Sequence, residues 1–160
     1  MSMSHQPADQ RVTPDDLLGS VEAILAGEPD LIANAANVAA LLFEALPHIN
    51  WAGFYFLRDD QLVLGPFQGR VACTRIPLGK GVCGAAATSR ETIVVADVHA
   101  FPGHIACDAA SASEIVVPLL AGDRLIGVLD IDSPIPDRFT PQDRQLVEAV
   151  AALLVRALPA

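Results

Sequence analysis

The apolar positions of this chain change period four times, and the changes mark out its elements. After Thr13-Pro14-Asp15-Asp16, with Thr placed to cap, Pro at the first helical position and acid in the first turn, Leu17, Leu18, Val21, Ile24 and Leu25 recur at helical spacing. Gly27-Glu28-Pro29-Asp30 interrupts the pattern, and an Ala-rich helical run from Leu31 to Leu46 follows and stops before Pro47. The period then falls to two. Trp51 to Leu57 and Gln61 to Phe67 read as a hairpin around Asp59-Asp60. Arg75 to Leu78 is a short extended piece, Val82 to Arg90 a small helix and Thr92 to Val95 a strand. Glu114 to Leu120 and Leu125 to Ile131 form a second hairpin through Gly122-Asp123, and Thr140-Pro141-Gln142-Asp143 caps a last amphipathic helix through Leu158. This order predicts an α+β domain, a central mostly antiparallel sheet with the N- and C-terminal helices packed on one face.

A length of 160 residues, 52% hydrophobic and 18% charged, suits one domain with a sizeable core, expected over residues 13–160 after a flexible tail over residues 1–12. The opening MSMSHQPADQRV has no apolar stretch of signal-peptide length, and no window approaches the roughly 20 apolar residues of a membrane span. A cytoplasmic location is the expectation. Ten basic against 19 acidic residues give a net charge of −9, a sign that repels phosphate backbones and anionic lipids, so neither nucleic acid nor a membrane is expected as partner. Three cysteines, Cys73, Cys83 and Cys107, make an odd number, which disfavours a secreted disulfide framework.

Gly79-Lys80-Gly81-Val82-Cys83-Gly84 matches G-x-G-x-x-G, with Asp97 at the end of a strand-like run beyond it. A dinucleotide site needs a continuous buried strand before the first Gly, whereas Cys73-Thr74-Arg75-Ile76-Pro77 offers polar residues and a Pro without an N–H. The glycines are better read as a tight turn into a short helix. The cysteines with His99 or His104 could be weighed as a zinc set, but only His104 and Cys107 are close in sequence, and no metal is expected. Buried inert thiols and thiol chemistry both remain open from spacing alone. Cys107, in the polar, small-residue segment FPGHIACDAASAS, is the cysteine least like a core residue.

Carboxylates tilt the balance toward chemistry. In Val128-Leu129-Asp130-Ile131-Asp132 the strand period puts Asp130 and Asp132 on one face, roughly 6 to 7 Å apart, and Glu114 begins the partner strand. Like charges so close would raise the proton affinity of at least one of them. A two-residue Gly122-Asp123 turn, however, pairs Glu114 with Ile131 and turns it to the opposite face, so convergence of the three acids demands a bulge or a Glu114 still in the loop. Trp51 and Tyr55 share a face with Gly53 between them, either as core or as a pocket wall.

The stretches GPFQGRVACTRIPLGKGVCGAAA, ADVHAFPGHIACDAASASEIVVPL and GVLDIDSP resemble the free methionine-(R)-sulfoxide reductases, a family of GAF domains, over about Asn50 to Pro134. The resemblance implies a GAF fold and assigns Cys107 as catalytic cysteine, Cys73 as principal resolving cysteine and Cys83 as a third cysteine of less settled part. It implies Glu114, Asp130 and Asp132 as substrate-binding acids, Trp51 and Tyr55 as pocket aromatics, and Glu114 or Asp132 as proton donor. The substrate would be free methionine-(R)-sulfoxide, reduced through a Cys107 sulfenic acid and a disulfide with Cys73. Thioredoxin would be the reductant and no cofactor would be needed. The acids suit the ammonium group of a free amino acid. A non-catalytic GAF sensor binding a small ligand is the competing reading, and a homodimer would suit the apolar terminal helices.

Overall fold

The computed structural model describes residues 11–104 and 110–159. The residues of the 1–12 tail before Arg11 and the segment holding Cys107 lie outside them. The elements run α1 (Leu17–Leu25), α2 (Leu31–Ala45), β1 (Trp51–Arg58), β2 (Gln61–Gly69), β3 (Arg75–Pro77), α3 (Gly81–Ser89), β4 (Ile93–Val95), β5 (Ser113–Ala121), β6 (Arg124–Ser133) and α4 (Pro141–Arg156). The strands make one six-stranded sheet in the order β3-β2-β1-β6-β5-β4, with every neighbouring pair antiparallel.

Local chemistry fixes the helix ends. The Asp30 side chain accepts from the Ala33 N–H at 2.8 Å to start α2. Thr140 and Asp143 form a reciprocal capping box at the start of α4, where the Thr-Pro-Gln-Asp run predicts it. Thr13 behaves differently. It precedes a 3-10 turn over Pro14–Asp16 and its hydroxyl donates to the Asp16 carboxylate at 3.0 Å instead of capping backbone.

The alternation of each strand sorts its side chains onto two faces. Ala52, Phe54, Phe56, Ile115, Val117, Leu119, Leu129 and Ile131 face a large core closed by α1, α2 and α4, so the terminal helices do pack on one face. The opposite face carries a second, smaller core, which the sequence pattern did not anticipate. There Trp51, Tyr55, Leu62, Ile76, Val116 and Val128 meet α3 through Val82, Cys83, Ala86 and Ala87. A Cβ on Gly84 would stand 2.6 Å from the Pro77 carbonyl oxygen, so glycine is required for α3 to pack this tightly. A three-residue edge strand precedes the glycine motif and its pairing is antiparallel. That is not the βαβ unit a dinucleotide site requires.

No helix among the described residues is long and apolar enough to cross a membrane.

Candidate active site

Three carboxylates meet on the α3 face of the sheet. Glu114 pairs with Asp132, Val116 with Asp130, Asp132 with Trp51 and Asp130 with Gly53, so the acids form a compact group at one end of β5 and β6 beside the first residues of β1. A register shift between Leu119 and Leu120 makes this possible. Leu119 pairs with Gly127 and Leu120 with Leu125, leaving Ile126 as the extra residue. The hairpin bulge that convergence demands is therefore present, and Glu114 faces Asp132 instead of Ile131.

Glu114 and Asp130 are 7% and 5% exposed, and Asp132 is half-buried. Burial pushes the Glu114 carboxyl well above the ordinary range, and the nearby charges of Asp130 and Asp132 push it further. Burial also raises Asp130, to about 6, against the opposing effect of hydrogen bonds from Glu114 and Cys83. Glu114 thus holds its proton far more tightly than an ordinary carboxyl and hydrogen-bonds to Asp130. Asp130 Oδ1 is buried without a hydrogen-bond partner, an expensive state that a bound cationic donor would relieve.

The aromatic pair defines the adjoining wall. Trp51 and Tyr55 stack with ring centroids 5.9 Å apart, and Phe67 stacks on Trp51 at 5.2 Å. Gly53 makes room for this layer, since a Cβ there would stand 2.8 Å from Trp51 Cη2. The polar atoms of the rings reach outward: Trp51 Nε1 donates to the Arg70 carbonyl at 3.1 Å and the Tyr55 hydroxyl donates to the Cys73 carbonyl at 3.0 Å. Both aromatics therefore serve as wall and as anchors for the strap between β2 and β3 that carries Cys73.

A small cavity of about 50 Å³ is lined by Trp51, Tyr55, Glu114, Asp130, Asp132 and Cys83. Val71 and Ala72 of the strap, together with His104 and Ser111, complete its rim. Lys80 and the first turn of α3 also line it. No side chain caps α3, and a helix N-terminus favours negative charge. The cavity wall therefore carries both signs, the three acids and, beside them, the α3 terminus with Lys80. Lys80, Gly81, Val82, His104 and Ser111 were not expected from the sequence. The glycine motif marked the turn into α3 but gave no sign that the turn faces the acids. Burial lowers the proton affinity of His104, and His99, edge-on at 6.4 Å, adds to the effect.

The thiols occupy different environments. Cys73 is disulfide-bonded and Cys83 is a free, buried thiol. Burial holds the Cys83 thiol well above its ordinary value, and the charges of Asp130, Glu114 and Asp132 add to the shift. Cys83 is therefore a protonated thiol in the pocket wall. The Cys3His zinc set is not assembled among the described residues, since Cys73 is in a disulfide and Cys83 groups with Glu114 and Asp130. Cys107 lies outside the described residues.

The GAF domain family model matches residues 21–158. The free methionine-R-sulfoxide reductase of Escherichia coli is 54% identical over 143 residues, covering 89% of this chain and 87% of that protein. The structure of fRMsr of Staphylococcus aureus in complex with substrate superposes with a TM-score of 0.88 at 49% identity, over 92% of this chain and 97% of that one. The free methionine-R-sulfoxide reductase of Neisseria meningitidis in complex with its substrate gives a TM-score of 0.87 at 47% identity, over 90% and 87%. The fold and the acidic pocket define a GAF domain built around a small-molecule site. Within that class, the chain belongs to the free methionine-R-sulfoxide reductase family.

Proposed function

We propose that this protein reduces free methionine-(R)-sulfoxide to methionine, with Cys107 as nucleophile. The observation that carries the reading is the buried cluster of Glu114 and Asp130 with half-buried Asp132, beside stacked Trp51 and Tyr55. His104 and Ser111, three residues before Cys107 and four after it, line the same cavity, which supports its chemistry taking place there.

In the proposed complex the substrate ammonium group satisfies Asp130 and its orphaned Oδ1, and the substrate carboxylate lies toward the α3 terminus and Lys80. The aromatic pair packs on the thioether arm. A sulfoxide within a polypeptide has neither free charge to offer, so a wall of both signs selects the free amino acid. The Escherichia coli relative, a free methionine-R-sulfoxide reductase, agrees with this.

The Cys107 thiolate attacks the sulfoxide sulfur while a carboxyl proton goes to its oxygen, and that hydroxyl then passes to the Cys107 sulfur as the transient sulfur–sulfur bond breaks, leaving methionine and a Cys107 sulfenic acid. Glu114, its proton affinity raised by burial, supplies that proton, with Asp132 as the second candidate. The Cys73 thiol then condenses with the sulfenic acid, releasing water and forming a disulfide. A dithiol of thioredoxin type reduces it, oxidising itself. Trp51 and Tyr55 hold the strap that carries Cys73, next to Val71 and Ala72 of the cavity lining. Cys83, protonated and walled in, takes no part in the first turnover.

A single-turnover experiment tests the assignment. Fully reduced protein given excess substrate and no reductant is expected to yield one methionine per chain and to lose two thiols. Cys73→Ser should still yield one methionine, with a sulfenic acid trappable by a dione reagent. Methionine formation by Cys107→Ser would overturn the reading.

A further inference from the structure

We propose that Cys83, Glu114 and Asp130 also form a site for a thiophilic divalent cation of the zinc class, and that its occupation closes the pocket to substrate. One ligand atom from each, the Cys83 sulfur and one carboxylate oxygen of Glu114 and of Asp130, lie within 4.8 Å of one another, and all three residues are buried. Tetrahedral zinc holds sulfur at about 2.3 Å and carboxylate oxygen at about 2.0 to 2.2 Å, which spaces its ligands by somewhat less than this, so a small inward movement of side chains completes three sides of a site. The fourth side is the cavity, open to water.

Two observations favour an ion over a merely crowded core. Asp130 lines the cavity and its Oδ1 is buried without a hydrogen-bond partner, so the carboxylate keeps an acceptor that a cation would satisfy. The donor set also mixes one soft sulfur with two hard oxygens, a combination that suits zinc and cobalt and that calcium and magnesium, which take oxygen alone, do not use. Binding displaces the thiol proton and the carboxyl proton, so each ion bound releases protons to solvent.

Cys83 is a free thiol while Cys73 is disulfide-bonded, so the site exists in that redox state. Occupation of the cluster stands independently of the proposed reaction. The block on turnover, by contrast, rests on the reading of this pocket as the ammonium site, because metal and ammonium would compete for Asp130.

The test uses cobalt(II) and zinc(II) on the full chain. Cobalt added to the disulfide form is expected to bind one per chain with a sulfur-to-cobalt charge-transfer band and tetrahedral visible bands, displaced by zinc and not by magnesium. Cys83→Ser should abolish the charge-transfer band. Asp130→Asn and Glu114→Gln, near-isosteric changes, should weaken cobalt binding by more than about tenfold. Loss of the band in those two variants supports the site even if Cys83→Ser does not fold. Stoichiometric binding that survives all three substitutions, or no tetrahedral cobalt at all, overturns it. Free methionine-(R)-sulfoxide should raise the apparent cobalt dissociation constant. Binding that meets these criteria but is indifferent to the sulfoxide would leave the metal site standing and remove the substrate reading of the pocket.

Discussion

Glu114 stands directly across from Asp132 on the neighbouring strand, and the single extra residue Ile126 in β6 puts it there. With unbroken pairing from the Gly122-Asp123 turn, Glu114 would oppose Ile131 and turn into the helix-covered core. The acidic group is therefore a consequence of one bulge, and burial raises the proton affinity of both Glu114 and Asp130.

The ligand-free protein should lose stability as pH rises from about 4 to about 6. Asp130 is raised from an ordinary 3.8 to about 6, so within that window the native state holds a proton that the unfolded chain releases. The stabilisation is complete below the unfolded value and gone above the folded one, on the order of 2 to 3 kcal/mol in all. Glu114, shifted in the same direction, extends the decline to higher pH. Thermal melts across this range should show a falling Tm, and Asp130→Asn should flatten the slope; a Tm that rises through the window would refute the assignment.

Gly53→Ala should damage substrate binding more than chemistry. Its Cβ would fall 2.3 Å from Phe67 Cβ and 2.8 Å from Trp51 Cη2, so the aromatic layer must shift, at a cost of about 1 to 3 kcal/mol. Steady-state kinetics should report KM rising at least about tenfold with kcat less affected, and near-ultraviolet circular dichroism should register the altered Trp51 packing.

Native Cys83 should resist alkylation at neutral pH. Its thiol is buried and held protonated by burial and by Asp130. Iodoacetamide labelling mapped by mass spectrometry on reduced protein should modify Cys107 first and Cys83 only on unfolding; rapid labelling of Cys83 would contradict the closed wall.

Ser133→Ala should cost about 1 to 3 kcal/mol. Its fully buried hydroxyl donates to the His48 carbonyl at 2.6 Å and accepts from the Ile135 N–H at 3.1 Å, tying the end of β6 next to Asp132 to two loops. Urea denaturation measures this directly, and an unchanged midpoint would show that the ties are dispensable.

Much of this was legible in the chain itself. Periods of 3.6 and 2 located the helices and strands, and the Thr140 cap and the break at Gly27–Asp30 set helix boundaries within a residue or two. The i, i+2 spacing of Asp130 and Asp132 and the i, i+4 spacing of Trp51 and Tyr55 put each pair on a shared face, now the same face. The bulge was deducible only as a requirement, because nothing in Leu125-Ile126-Gly127 announces which residue is skipped. The second core was hidden because α3 is short and Ala-rich, with apolar residues on all sides and thus no stripe to show which face is buried. Lys80 and His104 were not read as pocket residues because a site built by loops from opposite edges of the sheet leaves no local spacing to read.

The central claim is that a pocket carrying both signs of charge delivers a free amino-acid sulfoxide to one thiol. The most direct measurement is turnover with thioredoxin, its reductase and NADPH on four substrates: the R and S epimers of methionine sulfoxide, each free and within a peptide. The account predicts methionine from the free R epimer alone, and none after Cys107→Ser. Comparable reduction of the peptide-bound sulfoxide, or full turnover without the Cys107 sulfur, would contradict it.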